Sequence, residues 1–371
     1  MDTETIMRYR VVGYDQGFEN PQFESDDTYP DYIRENVAES IEKIKSHQKD
    51  KSVTFAFMTD IHYLPLPHHD ILLERNINAY RSICENVECD KLIFGGDYII
   101  DTFKNDKLEG FSKLSRAFSE FHYLPVHGNH DASSLWDRYM GNERAINKIS
   151  KQEIYDIFYS HLPAQGAIFN KNHKGLYYYV DDDRQNIRYI MLDICDAPDG
   201  YAERIFSPEC ISQSQLEWFA KDALMTQKDI VVFAHSIHRD VESDGKIKTY
   251  CPYLEIITMI LDAYKNGEKL VDCLFEDEFT LNVDVDFSNT VRGNIVGIFA
   301  GHFHNDIVEY TKSRIPCVFT ANFNMAECRL AVPRAIGDKS ELLFDIITVD
   351  RKERVLHITR VGAGDDRVVK Y

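Results

Sequence analysis

The chain has 371 residues, 44% of them hydrophobic and 28% charged, a composition typical of a soluble globular protein with one large domain or two ordinary ones. Its 42 Lys and Arg against 61 Asp and Glu give a net charge of −19, which disfavours nonspecific binding to nucleic acid or anionic membrane, since both rely on basic surfaces. The acidic N-terminus lacks the apolar core of a signal peptide, and no apolar run is long enough to span a bilayer. None of the eight cysteines forms a CxxC pair, so we expect reduced thiols in a cytoplasmic protein.

An N-terminal extension, residues 1–50, is expected to precede the main domain at 51–371. Residues 1–30 are polar and rich in turn formers, which predicts irregular structure. From Asp31 onward, apolar residues recur at helical spacing: Ile33, Val37, Ile41 and Ile44. This spacing predicts an amphipathic helix that lies against the following domain.

Short apolar runs then alternate with helical patterns along the chain. Strands are predicted at 53–59, 91–97, 121–126, 229–235 and 294–304. Helices are predicted at 70–87, 108–119 and 212–224, and two hairpins at 175–194 and 342–362. Alternation of strands and helices indicates an α/β fold with partly parallel sheets.

Residues 240–292 interrupt this alternation and are interpreted as an insertion near the site. They contain a helical pattern at 252–265 and a strictly alternating stretch at 279–287, which predicts a half-buried strand. The insertion serves either as a packing decoration, which we favour slightly, or as a cap that determines specificity.

Side chains of the metal-binding type follow five of the predicted buried strands. They are Asp60 and His62, Asp97, Asn129 with His130 and Asp131, His235, and His302 with His304. Each group alone is weak evidence, because Asp-x-His occurs by chance, Gly-Asp is common in turns and a lone histidine is more often part of the core. The carboxyl ends of strands in α/β sheets open into a shared crevice, so the set together predicts one site.

In this order the motifs "DIH" (60–62), "GD" (96–97), "GNHD" (128–131), His235 and "GHFH" (301–304) resemble the calcineurin-like metallophosphoesterases. The resemblance spans about residues 52–362. It implies a four-layer α/β/β/α sandwich with two mixed sheets and a dinuclear metal site. By motif, the first ion would be held by Asp60, His62, Asp97 and His304, and the second by Asp97, Asn129, His235 and His302. Carboxylate and imidazole ligands suit two divalent ions such as Mn, Fe or Zn.

The motif "GNHD" also suggests catalytic residues. Gly128 permits a tight turn, and His130, just past the ligand Asn129, could act as general acid toward the leaving oxygen or stabilise charge on the phosphoryl group. Asp131 would orient the His130 imidazole and favour its protonated form. Its alternative role is to cap the next helix.

The resemblance implies hydrolysis of a phosphodiester or phosphomonoester by metal-bound hydroxide. The acidic composition favours a small soluble phosphorylated substrate and disfavours duplex nucleic acid, and no membrane partner is expected. Two alternatives are a non-catalytic metal-binding scaffold of the same fold and a nuclease subunit that acts in a complex.

Other residues near these motifs receive weaker interpretations. Tyr63 and Asp101 adjoin ligands and are candidates for contacts around the metal site. His68 and His69 are interpreted as loop or helix-start residues, and His238 as a loop histidine.

Overall fold

A computed structural model describes residues 27–371 with short gaps. The gaps are 66, 90, 101, 135–136, 138–139, 172–174, 198–208, 238–239, 242–246, 250–251, 277–279 and 324–331. The predictions for residues 1–26, Asp101 and His238 therefore lie outside the described residues. In the part described, no helix combines the length and the apolar character needed to cross a membrane.

The chain alternates helices and strands as the sequence predicts. The helices are α1 (Asp31–His47), α2 (Pro67–Asn86), α3 (Lys104–Ala117), α4 (Asn129–Ala132), α5 (Lys151–Ile154), α6 (Gln213–Trp218) and α7 (Pro252–Asn266). A π-helical turn continues α5 at Tyr155–Tyr159 and another continues α6 at Phe219–Ala223. His68 and His69 lie in the first turn of α2, in agreement with the interpretation of both as helix-start residues.

The strands form two large mixed sheets, which confirms the predicted fold class. The first sheet has the order β17-β16-β15-β1-β2-β3 and the second β13-β14-β12-β7-β6-β5-β4; β8 with β9 and β10 with β11 form separate hairpins. The strands are β1 (Val53–Met58), β2 (Leu92–Phe94), β3 (Tyr123–Pro125), β4 (Ile168–Phe169), β5 (Tyr178–Asp182), β6 (Ile187–Met191), β7 (Asp229–Phe233), β8 (Asp240–Val241), β9 (Ile247–Thr249), β10 (Lys269–Glu276), β11 (Thr280–Asp286), β12 (Ile295–Ala300), β13 (Ile307–Tyr310), β14 (Pro316–Phe319), β15 (Leu343–Asp350), β16 (Val355–Gly362) and β17 (Arg367–Lys370).

The two large sheets pack face to face through aromatic side chains. Phe55 of β1 meets the rings of Tyr189, Phe233 and Phe299 edge-on, with ring centroids 5.4 to 5.9 Å apart. Because successive side chains of a strand point to opposite faces, the alternate residues of the same strands face outward. This shared aromatic core fixes the two sheets against each other.

Helices pack against strands of the first sheet and share a hydrophobic core with the second. α1 packs on β15 and β16 through its predicted apolar stripe, and Asn36 Oδ1 accepts a hydrogen bond from the Gly362 amide at 3.0 Å. On the second sheet, α6 and α7 pack on outward residues such as Val232 and Ile298. β11 shows the predicted alternation of buried and exposed residues, and it contacts α6.

A buried ionic network ties the loop after β12 to the C-terminal strands. Arg360 on β16 donates to Asp345 on β15 at 2.8 Å and forms two bonds to Asp306, while Arg367 on β17 pairs with Asp345. Burial raises the pKa of Asp345, but the charges of Arg360 and Arg367 outweigh it and lower the pKa below its ordinary value. The network therefore holds Asp306, two residues beyond His304, in place.

Asp345→Ala is expected to lower the free energy of unfolding by about 3–5 kcal/mol, because it leaves the buried guanidinium of Arg360 and the mostly buried one of Arg367 without their shared carboxylate. Chemical denaturation measures this change. The control is Lys45→Ala, which breaks an ion pair on the surface: the side chains of Lys45 and Glu42 are 47% and 76% exposed. This substitution should lower the free energy of unfolding by less than about 1 kcal/mol. Equal effects of the two substitutions would contradict the role of this network.

Candidate metal centre

The five strand ends that carry the predicted ligands meet at one place. β1, β2 and β3 are parallel neighbours in the first sheet, and β7 and β12 are parallel neighbours in the second. Their carboxyl ends therefore lie at the same edge of the two packed sheets. All seven predicted ligand side chains come together there: Asp60, His62, Asp97, Asn129, His235, His302 and His304.

Many of these residues adopt a backbone conformation that side chains other than glycine rarely take. Asp60, His62, Asp97, His302 and His304 have φ angles of 54°, 42°, 53°, 71° and 51°. A left-handed backbone in a residue with a Cβ is strained and persists only where the surroundings hold it, and such residues cluster at functional sites. Each strand end thus turns sharply so that its side chain enters the shared space.

Three of the four side chains predicted for the first ion, those of Asp60, His62 and His304, form the first group. The Nε2 atoms of His62 and His304 lie 3.1 Å apart. Asp60 Oδ1 lies 3.2 Å from His304 Nε2 and 3.7 Å from His62 Nε2. The Asp60 carboxylate is fully buried, and its other oxygen accepts bonds from the Thr59 hydroxyl and the His302 amide.

Four side chains form the second group, which matches the predicted second ion. Asn129 Oδ1 lies 3.0 Å from His235 Nε2 and 2.9 Å from His302 Nδ1. Asp97 Oδ2 lies 3.1 Å from His235 Nε2. The Nδ1 atom of His235 lies 2.7 Å from the Gly95 carbonyl, which fixes the ring so that Nε2 points into the group.

Asp97 stands between the two groups. Its Oδ2 atom is also 3.8 Å from His62 Nε2, so one oxygen faces histidines of both groups. A Cβ at Gly128 would overlap the backbone nitrogen and the carboxylate of Asp97, so only glycine allows the turn before Asn129 to pack this closely. The position of Asp97 is that of the predicted bridging ligand.

The charges of the site favour ionised carboxylates. Burial raises the pKa of both Asp60 and Asp97, but the imidazoles beside them, chiefly His304 and His235 respectively, lower it well below the ordinary value. Burial lowers the pKa of His235, yet the Asp97 charge raises it to about 10. Burial and then the His235 charge lower the pKa of His302 to about 3.

This donor set fits two divalent ions. The nitrogen and oxygen ligand atoms of each group lie close enough to share one ion, and carboxylates, imidazoles and an amide oxygen form a set that suits Mn, Fe or Zn. Two carboxylates against two divalent ions would leave a net charge of +2. The centre would thus attract a phosphate in a protein whose net charge is −19.

His130 lies at the edge of the centre. Its side chain is 26% exposed, against 17% for His302 and 14% for His304, and its Nε2 atom is 4.0 Å from Asp97 Oδ2. The rings of His130 and His62 meet edge-on with centroids 4.8 Å apart. With His62 and Asp97, His130 also forms a third set of groups close enough to share an ion.

Asp131 is bound to the backbone and does not orient His130, so that expectation is wrong. Its carboxylate accepts bonds from the amides of Asp97, Tyr98 and Gly128 at 2.9 to 3.0 Å, and from a fourth amide at 3.4 Å. These buried amides take up the carboxylate, while the Nε2 atom of His130 faces Asp97. Burial and then the Asp97 charge raise the pKa of Asp131 to about 6.

The bond from Gly128 N to Asp131 agrees with the alternative interpretation of Asp131 as a helix cap, because it closes the first turn of α4. The same carboxylate joins that turn to the loop carrying Asp97. Asp131 thus lies behind two predicted ligands and fixes their backbone.

Two further side chains correct or extend the sequence interpretation. The Tyr63 hydroxyl donates to Asp70 at 2.6 Å, and Asp70 is not one of the predicted ligands. The sequence does not predict Glu209, whose carboxylate lies 3.8 Å from His302 Nε2, while the Nδ1 atom of the same ring lies 2.9 Å from Asn129 Oδ1. Nothing in the sequence around Glu209 marks it, because it reaches His302 only through the fold.

The chain is similar to known proteins both in sequence and in fold. The model of the calcineurin-like phosphoesterase family matches residues 53–306. Among solved structures, the chain is similar to a dimetal phosphatase from Danio rerio, with 13% sequence identity and a TM-score of 0.55 over 86% of this chain and 99% of that one. It is also similar to a 5'-nucleotidase from Candida albicans, with 16% identity and a TM-score of 0.41 over 80% of this chain and 47% of that one.

No curated protein matches the chain. The likeness to the zebrafish structure shows a shared fold at low sequence identity. The family match is longer than half of the chain and includes every predicted metal ligand. The chain is therefore a member of the calcineurin-like phosphoesterase family.

Proposed function

We propose that the protein hydrolyses small soluble phosphoric esters, phosphodiesters first and phosphomonoesters second, with two divalent metal ions. The observation that carries the proposal is the convergence of seven donor side chains from five strand ends into two adjoining groups. When bound, two such ions would activate a water for attack at phosphorus and offset the charge of the phosphoryl oxygens.

Individual residues of the chain have distinct roles in the proposed reaction. Asp97 would hold both ions, and Asn129 adds a neutral oxygen that brings no further negative charge to a site that binds phosphate. His130, exposed at the edge of the centre, would donate a proton to the leaving oxygen. The acidic surface favours small soluble esters over duplex nucleic acid, whose binding needs many basic contacts.

The protein is expected to bind two divalent ions per chain and to hydrolyse phosphoesters only in their presence. Metal-free protein is titrated with Mn²⁺, Zn²⁺ or Fe²⁺, its metal content is measured by elemental analysis, and each form is tested on a panel of phosphodiesters and phosphomonoesters. Two ions with no hydrolysis would favour a metal-binding scaffold, and one tetrahedral ion would contradict the dinuclear centre. Activity confined to nucleic acid in the presence of a partner would favour a nuclease subunit.

A further inference from the structure

A second buried ionic network lies behind the turn that carries Asn129 and His130. It consists of His127, Lys151, Asp193 and Asp196, of which none is a predicted metal ligand. His127 follows β3 of the first sheet, Asp193 follows β6 of the second, and Lys151 begins α5. The network therefore joins the two sheets directly beside the metal centre.

Asp193 is the hub of this network. Its Oδ1 atom lies 2.9 Å from His127 Nδ1 and accepts the Cys195 amide at 3.0 Å, while Oδ2 accepts Lys151 Nζ at 2.9 Å and the Leu176 amide at 3.4 Å. The carboxylate is fully buried. Burial raises its pKa, but the charges of Lys151 and His127 lower it below the ordinary value, so the group is ionised.

Lys151 connects this carboxylate to a second one. Its ammonium also donates to Asp196 at 2.6 Å, and Asp196 accepts the Ser212 hydroxyl and the Gln215 side-chain amide at 2.5 and 3.3 Å. Both acids are buried, whereas the Lys151 side chain is 30% exposed. One cation thus holds two buried anions, which makes the position of Asp193 well defined.

The residues after His127 connect its side chain to the candidate metal centre. Gly128 packs so closely on Asp97 that a Cβ would overlap it, and the His130 amide donates to Asp97 Oδ1 at 2.8 Å. Between them, Asn129 presents its side-chain oxygen to the second group. A displacement of the His127 ring would therefore move Asn129 and His130 relative to Asp97.

We propose that Asp193, held by Lys151, is a positioning residue that fixes the Gly128–Asn129 turn through His127 and so sets the affinity of the second metal ion. The inference rests on the proposed function, in which Asn129 binds that ion. Asp193→Asn would remove the charge between His127 and Lys151 and turn an amide N–H₂ toward donors. Loss of contacts around metal ligands typically weakens binding by roughly 10–100-fold.

The test uses the full chain with Mn²⁺ as the probe. Chelator competition gives the affinity of each ion, and electron paramagnetic resonance separates a spin-coupled Mn²⁺ pair from a single ion. Asp193→Asn and Lys151→Met are compared with Lys151→Arg, which keeps the charge. The control is Lys104→Met. It breaks the ion pair between Lys104 and Glu153, which lies on the same helix as Lys151, and both side chains of this pair are 35% exposed.

Asp193→Asn and Lys151→Met should lose roughly 10–100-fold in second-ion affinity and most of the coupled signal, with little change at the first ion. Lys151→Arg should restore most of both, and Lys104→Met should match wild type. If the two variants melt earlier but bind both ions as wild type does, the network is only structural and the inference is wrong. Should Asp193→Asn fail to fold, the comparison of Lys151→Met with Lys151→Arg decides, because the Lys151 side chain is partly exposed.

Wild-type protein with a coupled pair and no hydrolysis of any ester would overturn the proposed function, while the comparison of affinities still decides this inference. Wild-type protein that binds fewer than two ions would overturn both.

Discussion

Asp97→Asn is expected to weaken both metal ions at once and to abolish phosphoester hydrolysis. One oxygen of Asp97 faces His235 at 3.1 Å in the second group and His62 at 3.8 Å in the first, so its charge serves both. Asparagine keeps the size of the side chain and removes that charge. Loss of a residue that only hydrogen-bonds to a metal ligand weakens metal binding by roughly 10–100-fold, so loss of this charge should weaken the binding of each ion at least as much.

The matched variant is Asp60→Asn, which removes the other buried carboxylate. Asp60 lies closest to His304, at 3.2 Å, so this change should disturb mainly the first ion. Metal titration of the two variants, with elemental analysis of the purified proteins, separates these outcomes. Loss of one ion only, and of the same ion in both variants, would contradict the bridging position of Asp97.

His130→Ala is expected to keep two metal ions and to lose roughly 10²–10⁴-fold in kcat, the range typical of a positioned general acid. The structure supports a role at the substrate because the His130 side chain is 26% exposed, more than that of His302 or His304. The loss should be smaller for a nitrophenyl ester, because a good leaving group needs no proton from the enzyme.

The measurement needs an ester with a good leaving group and one with a poor leaving group, and the metal content of every sample. His130 also lies near enough to His62 and Asp97 to share an ion with them. If His130→Ala loses an ion, this third set is a real binding site and His130 is a ligand. If the variant keeps both ions and slows both esters equally, His130 stabilises charge and does not donate a proton.

The convergence of the seven predicted ligand side chains could be predicted from the sequence because each follows a buried strand, and a strand is a local pattern. Apolar runs such as 53–58 and 295–300 identify the strands, and the parallel α/β topology places their carboxyl ends together. The amphipathic helix over 31–47 and the hairpin that includes 343–362 are also periodic over several turns or strand residues, and the structure shows both.

Some short strands lack the continuous apolar run that identifies β2 and β3 in the sequence. β13, β14 and β17 have four residues each and were not predicted, although they extend the edges of the two sheets. Their pairing is stabilised by neighbouring strands and by contacts such as Arg367 with Asp345, 22 residues apart. Such contacts leave no repeating signal in the sequence.

The tertiary structure alone decided which partners the polar groups around the predicted metal ligands have. The sequence placed Asp131 beside His130, but buried amides from the loop of Asp97, more than thirty residues away, take its carboxylate. The bond between His127 and Asp193 joins residues 66 apart on different sheets. Residues with ligand side chains can be recognised one by one in the sequence, because metal ions prefer a few residue types. The hydrogen-bond partners of a buried carboxylate cannot, because they depend on which donors the packed sheets place beside it.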